Sequence, residues 1–132
     1  MKITADTNIL VRAITEDHAR QSWLAQTALA DAELVALTLP VLCELVWVLA
    51  RGYKIPAAEI AEAIRRLMNA ATVALNRPAA EAGLAVLAAG GDFADGVIAF
   101  EGGWLGAEGF VSFDKAAVRI LAAGGVATRL LS

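Results

Sequence analysis

At 132 residues the chain has the size of a single domain, residues 1–132, large enough to bury its own core. Its apolar fraction of 58% and mean hydropathy of +0.61 exceed the roughly 45–50% apolar content of an average soluble domain, so part of that surplus is expected to face a partner. With 11 basic and 14 acidic residues the net charge is −3, which argues against a protein that coats nucleic acid by charge alone.

In chain order, Lys2 to Ala5 reads as a short strand, followed by the capping residues Asp6-Thr7-Asn8 and a helix from Ile9 to Ile14. His18 reads as a solvated turn residue, and Ala19 to Ala30 as an Ala-rich helix with Trp23 and Leu24 toward the core. Leu34 to Leu37 predicts a second strand. Pro40 suits the first position of a helix over Val41 to Ala50, with Gly52 as its cap. Pro56 opens the next helix, with Glu59 and Glu62 early and Arg65 and Arg66 late, as the helix dipole favours. Ile60, Ile64, Leu67 and Met68 give that helix one apolar face. Then follow a brief strand over Thr72 to Leu75, a helix over Pro78 to Ala88, and a stop and restart at Gly90-Gly91-Asp92. Phe93 to Gly102 predicts a helix, Phe110 to Phe113 a strand, Asp114 to Ala122 a helix and Val126 to Thr128 a last strand.

Strands alternating with helices define the α/β class, because parallel neighbours need a crossover that a helix supplies; a parallel sheet with helices on both faces is expected. No uncharged apolar stretch approaches the ~18 residues that span a bilayer. The best candidate, Leu34 to Cys43, holds Pro40 and ends at Glu44. Asp6 stands where a signal peptide carries its apolar run, so a cytoplasmic protein without membrane contact is expected. Cys43, the one cysteine, cannot form an internal disulfide and reads as a small buried hydrophobe.

The carboxylates carry the chemistry, although each has an ordinary explanation. Asp6, Asp92 and Asp114 all suit helix N-caps, and Asp95 falls in a first helical turn, where an acid complements the dipole. Glu44 has no such role. It interrupts an apolar run, Val41-Leu42-Cys43 and Leu45-Val46-Trp47-Val48-Leu49, that reads as buried nearly all round. There a carboxylate must be protonated, metal-bound or paired, with Arg12 or Arg51 as the available cations. Ligands of open parallel sheets bind beyond the carboxyl ends of the strands, where Asp6 and Asp114 are expected. With Asp92, Asp95 and Glu44 at the same rim, an oxygen-only site suited to Mg²⁺ or Mn²⁺ would result. One His and one Cys make zinc a poor fit, and one His excludes a two-histidine ribonuclease. No glycine pair precedes the Lys-Ser/Thr of a phosphate-binding loop.

The segments Ala5-Asp6-Thr7-Asn8-Ile9-Leu10-Val11-Arg12, Leu42-Cys43-Glu44-Leu45-Val46-Trp47-Val48-Leu49, Asp92-Phe93-Ala94-Asp95-Gly96-Val97-Ile98-Ala99 and Ser112-Phe113-Asp114 together resemble the PIN-domain family, specifically VapC-type toxins. The resemblance spans nearly the whole chain and implies a three-layer fold with a central parallel sheet. It implies Asp6, Glu44, Asp95 and Asp114 as catalytic, metal-binding acids, with Thr7, Asn8, Ser112 and Asp92 in support. It further implies a homodimeric Mg²⁺- or Mn²⁺-dependent ribonuclease, silenced by a small antitoxin through which alone operator DNA is bound. Two positions depart from the family's pattern: Ser112 where Thr is common, and Gly96 where a larger small residue is usual.

The mechanism expected from these residues is hydrolysis of an RNA phosphodiester by metal-activated water. Arg12, Lys115 and Arg119 are candidates for gripping the substrate. Among rivals, a phosphatase of the haloacid dehalogenase class needs a second Asp two residues after the first, where Asn8 stands. A receiver domain needs an acidic pair after its first strand and has no place for Glu44. A PIN-like module that binds without catalysis is the remaining alternative.

Overall fold

A computed structural model describes residues 1–132 as two compact units, Met1–Asn76 and Arg77–Ser132. The first unit runs β1 (Lys2–Thr4), α1 (Thr7–Thr15), α2 (Ala19–Asp31), β2 (Leu34–Ala36), α3 (Leu39–Trp47), a π-helical turn (Val48–Gly52), α4 (Ala57–Asn69) and β3 (Val73–Ala74). The second runs α5 (Arg77–Ala88), α6 (Phe93–Trp104), β4 (Phe110–Ser112), α7 (Lys115–Ala123) and β5 (Thr128–Leu130). The class is α/β. All pairings are parallel: β1-β2-β3 in the first unit, with Ile3 opposite Val35 and Val35 opposite Val73, and β4-β5 in the second.

Each crossover is helical because a parallel strand must return to the same end of its sheet before pairing again. The helices then bury one face each. In the first unit Leu10 and Val11 of α1, Leu42, Leu45 and Val46 of α3, and Ile60, Ile64 and Met68 of α4 are buried. In the second, Leu84 of α5, Phe93 and Val97 of α6, and Leu121 of α7 fill the same role.

Packing of α5 on α6 depends on glycine. A Cβ on Gly96 would overlap the Ala82 carbonyl oxygen and stand 2.8 Å from the Gly83 Cα, while one on Gly83 would stand 2.6 Å from the Phe93 ring. The small residue at 96, a departure in the motif, is thus what lets the two backbones meet.

Three local expectations require correction. Trp23 and Leu24 do not face the core but are 64% and 45% exposed, and α2 buries Ser22 and Ala25 instead. These small side chains suit close approach to α1, which Gln26 reinforces by donating to the Ala13 carbonyl at 3.0 Å. The helix expected over Val41 to Ala50 gives way after Trp47 to the π-turn, which Tyr53 closes through its N–H to the Val48 carbonyl at 3.2 Å. The last strand begins two residues later than Val126. The chain first turns at Gly125, whose φ of 96° favours glycine, and Val126 donates back to the Leu121 carbonyl.

Candidate functional site

In the first unit, Asp6 leaves β1 in extended conformation and caps α1, its Oδ1 accepting the Thr7 N–H at 2.8 Å. The side chain is exposed and its second oxygen has no protein donor. Asp6, Thr7, Asn8, Arg12, Glu44 and Tyr53 line one recess of about 350 Å³. The Thr7 hydroxyl oxygen is buried there without a hydrogen-bond partner. An orphaned buried hydroxyl costs on the order of 1–3 kcal/mol, so a ligand or water that satisfied it would be favoured.

Glu44 reaches this recess, but not in the way its sequence context implies. It is exposed rather than buried, and neither Arg12 nor Arg51 pairs with it. Burial therefore does not force it to bind metal or take a proton. Cys43 beside it is half-buried.

Arg12, in the last turn of α1, is held instead by Asp17. Its Nη1 donates to Asp17 Oδ1 at 2.9 Å and lies 3.5 Å from the Tyr53 hydroxyl oxygen, while that hydroxyl donates to Asp17 Oδ2 at 2.8 Å. The Thr15 hydroxyl lies 2.9 Å from Asp17 Oδ1. The Tyr53 hydrogen bond first, then those of Thr15 and Arg12, hold the Asp17 carboxyl below the ordinary aspartate range. Sequence reasoning missed Asp17 and Tyr53. They stand 36 residues apart, and no motif joins them. His18 caps α2 through Nδ1, which accepts the Gln21 N–H at 3.2 Å.

In the second unit two aspartates bear on a third. Asp92 caps α6 by accepting the Ala94 N–H at 3.2 Å, and Asp114 caps α7 by accepting that of Ala117 at 3.0 Å. Both are exposed. Ser112 supports Asp114, its hydroxyl oxygen accepting the Asp114 N–H at 2.9 Å. Asp95, half-buried in the first turn of α6, has its carboxyl pushed above the usual range, chiefly by burial and further by the charges of Asp92 and Asp114. Lys115 and Arg119 are exposed, make no ion pair, and lie one turn apart on α7.

The donors in both units are carboxylate, hydroxyl and amide oxygens, the set that hard divalent cations prefer. Neither unit on its own gathers three carboxylate, imidazole or thiolate groups around one point. An ion held in either place would therefore keep water in part of its shell, as Mg²⁺ usually does.

Parallel strands and helix starts that carry free carboxylate oxygens define an acid-lined α/β protein. The chain belongs to the PIN domain family, whose sequence model matches residues 3–120 and so runs through both units. Searches of curated proteins and of solved structures return no match. PIN domains are in general nuclease modules that depend on metal and act on nucleic acid. No helix of the chain is long and apolar enough to cross a membrane.

Proposed function

We propose that the chain is a Mg²⁺- or Mn²⁺-dependent endoribonuclease, a VapC-type toxin formed by a single nuclease domain over residues 1–132. Its metal ligands are Asp6, Glu44, Asp95 and Asp114, supported by Thr7, Asn8 and Ser112. The observation that carries this reading is the state of Asp95, half-buried and opposed by two like charges. A half-buried carboxylate facing like charge is unfavourable by itself, and a cation beside it would relieve that cost. The ion, when bound, supplies positive charge to the scissile phosphate and a more acidic attacking water. The chain's own residues do the rest. Asp6 and Asp114 each commit one oxygen to a helix cap and keep the other free, which fixes the carboxylate's direction. Ser112 steadies the second of these, and Lys115 and Arg119 offer cations to the RNA backbone.

The same reading places the protein in the cytoplasm as a homodimer, bound by a small antitoxin that alone contacts operator DNA. The exposed apolar side chains Trp23, Trp47, Trp104 and Phe113 offer area for such contacts.

The test is to incubate purified, antitoxin-free protein with total cellular RNA, with and without EDTA, and to map new ends. Discrete new ends that vanish with EDTA are expected. Asp95→Asn should abolish them while the fold persists, whereas Asp92→Asn should do little, because Asn caps helices about as well as Asp. Cleavage lost in Asp92→Asn and kept in Asp95→Asn would reverse the assignment. RNA binding with no cleavage would make the chain a binding module.

A further inference from the structure

We infer that Asp17 and Tyr53 are positioning residues that hold the Arg12 guanidinium at the recess lined by Asp6 and Glu44, ready to bind a phosphate of the RNA strand. This rests on the nuclease reading and deepens it by assigning the phosphate contact in the first unit.

Arg12 lines a recess with two carboxylates, yet it pairs with neither of them. An arginine without another partner there would be drawn toward those carboxylates and would offset part of their charge. Three contacts prevent this. Asp17 takes one guanidinium nitrogen at 2.9 Å, Tyr53 stands 3.5 Å from that nitrogen, and Tyr53 fixes the other Asp17 oxygen at 2.8 Å. Glu16, in the left-handed region with φ 56°, turns the chain at the end of α1 just before Asp17. Arg12 makes its contacts to Asp17 and Tyr53 through Nη1, so Nη2 and Nε keep their hydrogen-bond donors.

The planar fork of a guanidinium matches phosphate, and ordering it beforehand lowers the cost of binding, since arginine otherwise gives up substantial rotamer freedom. The ordinary alternative is a staple. The cluster would then only tie α1 to the segment after the π-turn, and would matter for stability alone.

The two accounts separate in a double-mutant cycle read by binding. Affinity for a short fluorescein-labelled single-stranded RNA is measured by anisotropy, with Ca²⁺ in place of Mg²⁺ to suppress cleavage, for wild type, Arg12→Ala, Tyr53→Phe, Asp17→Asn and the doubles with Arg12→Ala. Loss of a charged contact should weaken binding roughly 10-fold in Arg12→Ala and lower the salt slope by about 0.7, one single-strand phosphate contact. Tyr53→Phe and Asp17→Asn should each weaken it several-fold, and neither should weaken Arg12→Ala further. Arg12→Lys should fail to restore affinity. Unchanged affinity in both Tyr53→Phe and Asp17→Asn, or losses that add to that of Arg12→Ala, would overturn the inference. Melting temperatures of all variants expose a purely structural effect, and having both Asp17 and Tyr53 variants guards against one that folds poorly. Wild-type RNA cleavage is scored separately. Its absence would sink the nuclease reading, while the cycle would still decide the role of Asp17 and Tyr53.

Discussion

Asp95 shows how a single ionised side chain can oppose folding. Its carboxyl binds a proton more tightly in the folded chain than in the unfolded one, because burial and then Asp92 and Asp114 disfavour its charge. Relative stability is therefore complete below the ordinary aspartate value of about 3.9 and is lost as pH rises through the raised folded value. In EDTA, Asp95→Asn should accordingly melt at a higher temperature than wild type at pH 7, and the gap should close as pH falls below about 4. Thermal melts followed by circular dichroism across that range check it. A gap that is absent at neutral pH, or that widens in acid, would contradict the account. The capping aspartates 6, 92 and 114 were legible from sequence, because a cap is a local pattern of a polar residue before a helix start. Glu44 was legible as a residue of interest for the wrong reason. Its neighbour on the same helix face, Trp47, is 59% exposed, so an apolar residue disguised an exposed stripe as core.

At the level of elements, the close packing of α5 on α6 hangs on two glycines. Replacing a helix glycine by alanine ordinarily gains about 0.5–1 kcal/mol. At Gly96 the added methyl meets backbone rather than a flexible side chain, and overpacking of that kind costs about 1–3 kcal/mol. The clash should win. Gly96→Ala is expected to lower the urea midpoint, and an unchanged or raised midpoint would show that the helices can part without penalty. Element types were readable throughout because hydrophobic period and capping residues agree. Boundaries slipped where tertiary contacts decide. The π-turn after Trp47 and the late start of β5 both rest on hydrogen bonds, Tyr53 to Val48 and Val126 to Leu121, that no local propensity encodes. The burial of α2 slipped for a related reason, since a close helix contact selects the small Ser22 and Ala25 over the larger Trp23.

For the molecule as a whole, alternation of strand and helix made the α/β class and parallel pairing legible, while the Arg12–Asp17–Tyr53 cluster lay beyond any motif. One further property of the chain follows from its aromatic surface. All three tryptophans stand in solvent, Trp23 at 64%, Trp47 at 59% and Trp104 at 80% exposure. Their emission in the dilute monomer should already sit near that of free indole and be readily quenched by acrylamide. Unfolding should then leave the fluorescence spectrum almost unmoved while circular dichroism collapses. Self-association should do the opposite, drawing emission to the blue as concentration rises with no change in secondary structure. Blue, quencher-resistant emission that persists at the lowest measurable concentration would mean that the indoles are sheltered within a single chain. Otherwise the same three residues make the protein's fluorescence blind to its own denaturation and sensitive to whatever covers its surface.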